Sequence, residues 1–139
     1  MPEQRELHCV IVTPEKALLD DVADFVAVPM FDGELGVLPG RAPLIGRLGY
    51  GELRFRRGLD VRRFFVEGGF VQVRANTVTV LTPRAQRAEE IDASAALQAL
   101  QAALVPSTTQ SSEEQLMLQE RARAQLRVAR HNEEYPAHR

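Results

Sequence analysis

The spacing of apolar residues changes once along this chain of 139 residues, and that change limits the fold more than any other feature. Between Leu7 and Leu81 apolar residues recur about every second position, in short runs of Val, Leu and Phe broken at intervals of about 8 to 12 residues by Gly, Pro or Asp. Beyond Pro83 the period lengthens to about 3.6, alanine and glutamine become frequent, and glycine does not recur. The first pattern predicts an antiparallel β-sandwich of about nine to ten short strands, and the second a C-terminal antiparallel α-helical hairpin. Residues 1–87 are assigned to the sandwich and 88–139 to the hairpin and its tail.

Within the first part the strands are expected at 7–13, 17–20, 22–29, 34–38, 45–48, 52–56, 61–66, 70–74 and 77–81, with turns at Thr13-Pro14, Asp32-Gly33, Arg57-Gly58, Gly68-Gly69 and Ala75-Asn76. Strand 77–81 alternates Thr and Val and should be half buried. Strand 22–28 is apolar on both faces apart from Asp24 and should be covered from both sides.

In the second part Asp92 can cap a helix with the stripe Ala93, Leu97, Leu100 and Leu104, ended by Pro106. Ser111 and Glu114 form a capping box for a second helix with the stripe Leu118, Ala122, Leu126 and Ala129. The tail from His131 is polar and is expected to fray. Full burial of Leu97, Leu100 and Leu104 would contribute roughly 5 to 9 kcal/mol. Ordering a helix of about 13 residues costs about 1 to 2 kcal/mol per residue in backbone entropy. Such helices need a surface to dock on, and an element of this kind can move.

Composition removes several classes of function. The charged and apolar fractions, 26% and 45%, exclude wholesale disorder, and no apolar run is long enough to span a bilayer. Residues 1–7 lack the apolar core of a signal peptide, so the protein is expected to stay in the compartment where it is made. The single cysteine, Cys9, points to a reducing compartment. A net charge of −2 with no Trp argues against a nucleic-acid partner. His8 and Cys9 are neighbours on a strand and face opposite ways, so they make no nucleophile and base pair. His8, His131 and His138 lack metal-ligand spacing, and the acid pairs Asp20-Asp21 and Glu89-Glu90 abut turns or a helix start, so no catalytic or metal site is assigned.

The densest backbone constraint is DGELGVLPGRAPL at 32–44. Gly33, Gly36 and Gly40 open three positions to unusual or close-approaching backbone, and Pro39 and Pro43 stiffen two more. Leu35, Val37, Leu38 and Leu44 are too apolar to be left in water, so the loop should pack on its own domain or on a partner. No Gly-Lys-Ser/Thr follows, so it is not a phosphate loop. A second feature is the row Arg123, Arg127 and Arg130 on one face of the second helix. Such a row is either a solvated face or a contact for an acidic partner.

The run GELGVLPGRAPL at 33–44, together with VEGGFVQV at 66–73 and the Ile91-Asp92 step, resembles the epsilon subunit of rotary (F-type) ATP synthases, the homologue of the mitochondrial delta subunit. The resemblance extends from Leu7 to about Arg130. It implies a non-catalytic rotor subunit of the central stalk, coupling the c ring to the catalytic head of a proton-translocating complex, with a hairpin that inhibits ATP hydrolysis. It places Glu34, Leu35, Gly36, Val37, Leu38, Pro39 and Arg41 at the c ring, with Arg41 where the family usually has histidine. Gly33, Gly68 and Gly69 become structural glycines, the last two at a tight bend. Arg123, Arg127 and Arg130 become regulatory contacts to the catalytic alpha and beta subunits, and the gamma subunit is a further partner. Ile91, Asp92 and Ala96 match the motif by which some relatives bind ATP, but Ala95 replaces its arginine, so no cofactor is expected. Membrane association would be indirect, at the cytoplasmic face of the bacterial inner membrane. The other readings are a stand-alone sandwich module and a small nucleotide-sensing regulator.

Overall fold

The computed structural model describes residues 6–135. Eight strands precede two helices: β1 (Leu7–Val12), β2 (Ala17–Ala23), β3 (Phe25–Met30), β4 (Gly33–Val37), β5 (Leu44–Arg57), β6 (Asp60–Arg74), β7 (Thr77–Leu81) and β8 (Ala85–Arg87), then a 3-10 turn (Ala88–Glu90), α1 (Ala93–Leu104) and α2 (Ser112–Glu134). The strands form one hydrogen-bonded path, β2-β1-β7-β6-β5-β3-β4, with β8 added to β6. The path folds over on itself into two layers. One holds β2, β1, β7, the second half of β6 and the first half of β5; the other holds β8, the remaining halves of β6 and β5, then β3 and β4.

Two pairs of expected strands are therefore single strands. The stretches 45–48 and 52–56 fuse into β5, and 61–66 and 70–74 fuse into β6. Gly68 and Gly69 do not turn the chain back; they lie inside β6 at φ +72° and +103°. The inward-facing residues of β6 are Phe64 and Val66 before this point, then Val71 and Val73 after it, so the strand changes parity as it crosses between layers. Its partner does the same between Leu48 and Leu53. Gly69 also lies where a Cβ would meet the Leu81 carbonyl oxygen at 2.0 Å. Glycine is thus required by conformation and by space. A further departure is the pairing of β1 with β7, which is parallel although every other ladder is antiparallel.

The core between the layers is supplied entirely by the sandwich, with Phe55, Phe64, Leu7, Ile11 and Leu53 the largest of its fully buried side chains. Cys9 lies in this core and burial pushes its thiol up to about 12. His8 faces outward and pairs with Asp20.

The helices differ from the expected stripes. In α1 the buried residues are Ala96 and Ala103, while Leu97 and Leu104 are about half exposed. The buried face of α1 is thus displaced by one residue from the expected leucine stripe, onto small side chains. Gln119 Nε2 donates to the Ala103 carbonyl at 3.1 Å, from α2 to α1, and Gln115 Nε2 to that of Val105 at 2.7 Å. In α2 the buried residues are Ala122, Ala124, Val128 and Ala129. Ala124 and Val128 close over Phe65 and Ala88, with Tyr50 and Ile91 at the margin, so the hairpin is docked on the outer face of β5 and β6. The helix also continues through Glu134, where fraying was expected from His131, because its end is held on the sheet as described below. Residues 1–5 and 136–139, including His138, lie outside the described residues.

Candidate functional site

The stretch 32–44 is an edge strand followed by a tight loop. β4 is the last strand on the sheet path and pairs with β3 alone, Ala27 opposite Gly36 and Val28 opposite Leu35. Val37 is fully buried and Leu35 partly so, anchoring the strand, while Leu38 turns outward and is 57% exposed. At the tip Gly40 adopts φ +85°, its N–H donates to Asn76 Oδ1 at 2.8 Å, and Arg41 N–H donates to the Leu38 carbonyl at 3.3 Å. Asn76 belongs to the turn between β6 and β7, itself at φ +60°. Two turns thus brace each other and present Leu38 and Arg41 at one end of the sandwich. Glu34 pairs with Arg54 at 3.5 Å. Gly36 is not open: a Cβ there would lie 3.1 Å from Phe25 Cε1, so substitution there disturbs the fold as well as any contact.

On the outer face of the first layer Ile45, Phe70 and Leu81 are each more than half exposed. The register places Arg47 opposite Phe70 and Phe70 opposite Leu81, so these side chains share one face. Alternation alone does not distinguish such a face from one covered by the protein's own chain, and the sequence reading missed it.

The docked end of α2 is fastened by groups that spacing did not single out. Arg63, 6% exposed, reaches Glu52 at 3.7 Å and donates to the Tyr135 carbonyl. His131 Nδ1 meets the same carboxylate at 2.7 Å. Burial pushes the Arg63 pKa down and Glu52 pushes it back up, so this acid is what keeps a desolvated guanidinium tolerable. Farther along, Arg121 pairs with Glu67 at 2.6 Å, and Gln125 Nε2 donates to Gln86 Oε1 at 2.9 Å. The tyrosine beside Glu67, Tyr50, has its pKa raised by burial, then by Glu67 and Glu120.

Arg123, Arg127 and Arg130 are all exposed and make no ion pair among the described residues. They run along the channel between α2 and β5. Asp92 caps α1 by accepting from Ala95 N–H at 3.0 Å, and Ile91 packs beside Phe65. Ala96 is buried. A cleft of about 410 Å³ opens between the helices and β8; among the described residues Arg121 is the only arginine lining it, and that residue is engaged by Glu67. The carboxylates of Asp20 and Asp21 serve His8, Arg57 and Arg62 and the Val22 N–H.

Residues 6–88 match the family model described as the ATP synthase delta/epsilon chain β-sandwich domain. The chain belongs to the ATP synthase delta/epsilon family. It is 51% identical over 129 residues to the ATP synthase epsilon chain of Rhodopirellula baltica, covering 89% of this chain and 98% of that one. It is 44% identical over 133 residues to the epsilon chain of Solibacter usitatus, covering 93% and 98%. A chain in the mitochondrial ATP synthase structure of Euglena gracilis superposes with a TM-score of 0.73 at 20% identity, over 96% of this chain and 83% of that one. Another, in the central stalk and c-ring structure from Tetrahymena thermophila, gives 0.62 at 16%, over 94% and 98%. These two likenesses carry the fold; the curated relatives carry the identity. As an epsilon-type chain this is a non-catalytic subunit of an ATP synthase, and none of its described helices is long and apolar enough to cross a membrane.

Proposed function

We propose that this epsilon-family chain joins the c ring to the gamma subunit within the rotor and carries a releasable brake on ATP hydrolysis. The observation that carries this reading is the braced tip at 38–41, where an apolar side chain is held outward by a rigid frame next to an exposed arginine. A lone exposed leucine is ordinary, but this molecule also exposes Ile45, Phe70 and Leu81 together on one face, and a grouped apolar surface of that kind marks an interface. Glu34, Leu35, Gly36, Val37, Leu38, Pro39 and Arg41 form the c-ring end, with Leu38 and Arg41 in contact and Gly36 and Val37 supporting them. The face bearing Ile45, Phe70 and Leu81 suits the gamma subunit, since it is apolar and continuous with that end. Attachment to the cytoplasmic side of the bacterial inner membrane follows through the c ring.

The hairpin from residue 88 onward acts as a separate unit. Released from β5 and β6, it would present Arg123, Arg127 and Arg130 to acidic surfaces of the catalytic subunits. No cofactor takes part. With Ala95 in place of arginine and Arg121 engaged by Glu67, the interhelical cleft lacks a free guanidinium for a phosphate chain. Loss of one charge-assisted contact of about 1.5 to 3 kcal/mol weakens binding about 10- to 100-fold. Calorimetry should therefore show no ATP complex at low micromolar concentration, and a tight one-to-one complex in the cleft would contradict this.

The contact itself is tested with Leu38→Glu, chosen because that side chain is exposed and Gly36 is not free to change. Complexes carrying it should assemble and hydrolyse ATP while proton pumping in membrane vesicles falls. Unchanged pumping would remove the tip from the c-ring contact.

A further inference from the structure

We propose that His131 makes the docking of α2 sensitive to pH: its imidazolium pairs with Glu52, and loss of that proton loosens the end of the helix from the sheet. The last turn of α2 is held at two points by side chains of β5 and β6. At one, Glu52 Oε1 meets His131 Nδ1 at 2.7 Å. At the other, Arg63 donates to the Tyr135 carbonyl. The two points belong to one closed unit, because Tyr135 N–H donates to the His131 carbonyl at 2.9 Å and the two rings meet edge to face, centroids 5.2 Å apart. Of these contacts, only that of the histidine can be switched near neutral pH. Arginine keeps its charge there, a main-chain carbonyl does not titrate, and imidazole is the side chain that gains or loses a proton between about pH 5 and 8.

The surroundings decide which form of the ring the docked state prefers. Glu52 is 15% exposed, so its charge acts through a medium less polarisable than water. It is shared: Arg54 approaches its other oxygen at 3.5 Å, and Arg63 lies 3.7 Å from the oxygen that His131 meets. These two cations oppose a third, but each has a further acceptor, Glu34 for Arg54 at 3.5 Å and the Tyr135 carbonyl for Arg63. From α2 itself Arg127, Arg130 and Glu134 line the same channel, and both of these arginines are exposed, where water and salt screen them. The last turn also carries Glu133, and His131 is its one basic residue at a helix end that favours cations. Contact with a carboxylate and place in the helix thus both select the imidazolium, whose bond to Glu52 is about twice as strong as that of a neutral donor.

Docking therefore favours the protonated ring, so the docked state is stabilised on the acid side and loses that contribution as pH rises through the imidazole range. The neutral ring can still donate from Nδ1, and the packing of Ala124 and Val128 on Phe65 does not titrate, so rising pH weakens the fastening without abolishing it. His8, paired with Asp20 on β1 and β2, has no part in this. If the released hairpin is the brake proposed above, an alkaline interior favours braking; that consequence rests on the brake, whereas the pH response of docking does not.

The test is hydrogen exchange of the full-length chain at pH 6 and pH 8 and constant ionic strength, with exchange times corrected for the intrinsic pH dependence of the amides. Wild type is compared with His131→Gln, which keeps a neutral donor, and His131→Lys, which keeps the charge at both pH values. His8→Gln and His138→Gln remove the other two imidazoles. Protection of the amides at 128–135 should fall about tenfold from pH 6 to pH 8 in wild type, His8→Gln and His138→Gln. It should be low at both pH values in His131→Gln and high at both in His131→Lys, while protection at 77–81 stays unchanged throughout. No fall in wild type, an equal fall in either His131 variant, a response abolished by His138→Gln, or a fall at 77–81 equal to that at 128–135 would each overturn the proposal.

Discussion

Cys9 and Arg63 are both removed from water, one without any partner for its charged form and one beside a carboxylate. For Cys9 burial raises the thiol pKa to about 12 from the ordinary 9.0. Below pH 9 the folded and unfolded chains both carry the proton. Between pH 9 and 12 the unfolded chain releases it while the folded chain keeps it, so stability falls with rising pH by up to about 1.4 kcal/mol per unit from this group. The urea midpoint should therefore drop more steeply above pH 9 in wild type than in Cys9→Ala, and the native thiol should resist alkylation at pH 8. Equal slopes would mean that the thiol is not buried. For Arg63 the carboxylate decides. Glu52→Gln leaves a guanidinium that is 6% exposed without a counter-charge. The cost should be about 3 kcal/mol, and it should appear first as release of the end of α2, read by faster hydrogen exchange at 128–135. Exchange unchanged from wild type would show that Glu52 does not fasten the helix.

At the scale of the element, the crossing at Gly68-Gly69 holds the two layers together. Gly69→Ala adds a Cβ both at φ +103° and against the Leu81 carbonyl. Destabilisation of more than about 2 kcal/mol is expected in urea unfolding, whereas Gly33→Ala, at φ +137° but in open space, should pay only the conformational part. Comparable losses for the two would remove the close approach from the account. This element also shows where sequence reading stops. Two glycines between apolar runs predict a turn, because local pattern carries no information about whether the next run pairs onward along the same neighbour. The parallel ladder of β1 with β7 was hidden for the same reason, since it joins residues about 70 positions apart. In the hairpin the period was legible and the caps at Asp92 and Ser111 were too, but the choice of seam was not. Leucine looks like the buried stripe, but in α1 the face turned to its neighbours is centred one residue earlier, on Ala96 and Ala103. Among site residues, the tip at 38–41 was legible because Gly and Pro constrain the backbone locally. Glu52 and Arg63 acquire their roles only through contacts made across the fold.

Taken whole, the molecule is a rigid sandwich with its own complete core and a helical hairpin attached through a much smaller cluster. None of the large core residues comes from a helix. Removing residues 107–139 exposes Phe65, at about 1.5 to 3 kcal/mol, but leaves the sandwich packed and its tip and apolar face in place. Placing a charge in the cluster, as Ala124→Asp does, should instead free an intact hairpin, because Ala124 is fully buried against the sheet. The two changes therefore separate loss of the proposed brake from its release, which single deletion cannot do. The most direct measurement is ATP hydrolysis by the assembled catalytic complex with wild-type chain, the chain lacking 107–139, and Ala124→Asp, each at low and high salt. Hydrolysis should rise with the truncated chain and fall with Ala124→Asp, and the fall should weaken at high salt as the arginine contacts are screened. Equal rates with all three chains would contradict the account and reduce the hairpin to a packing element.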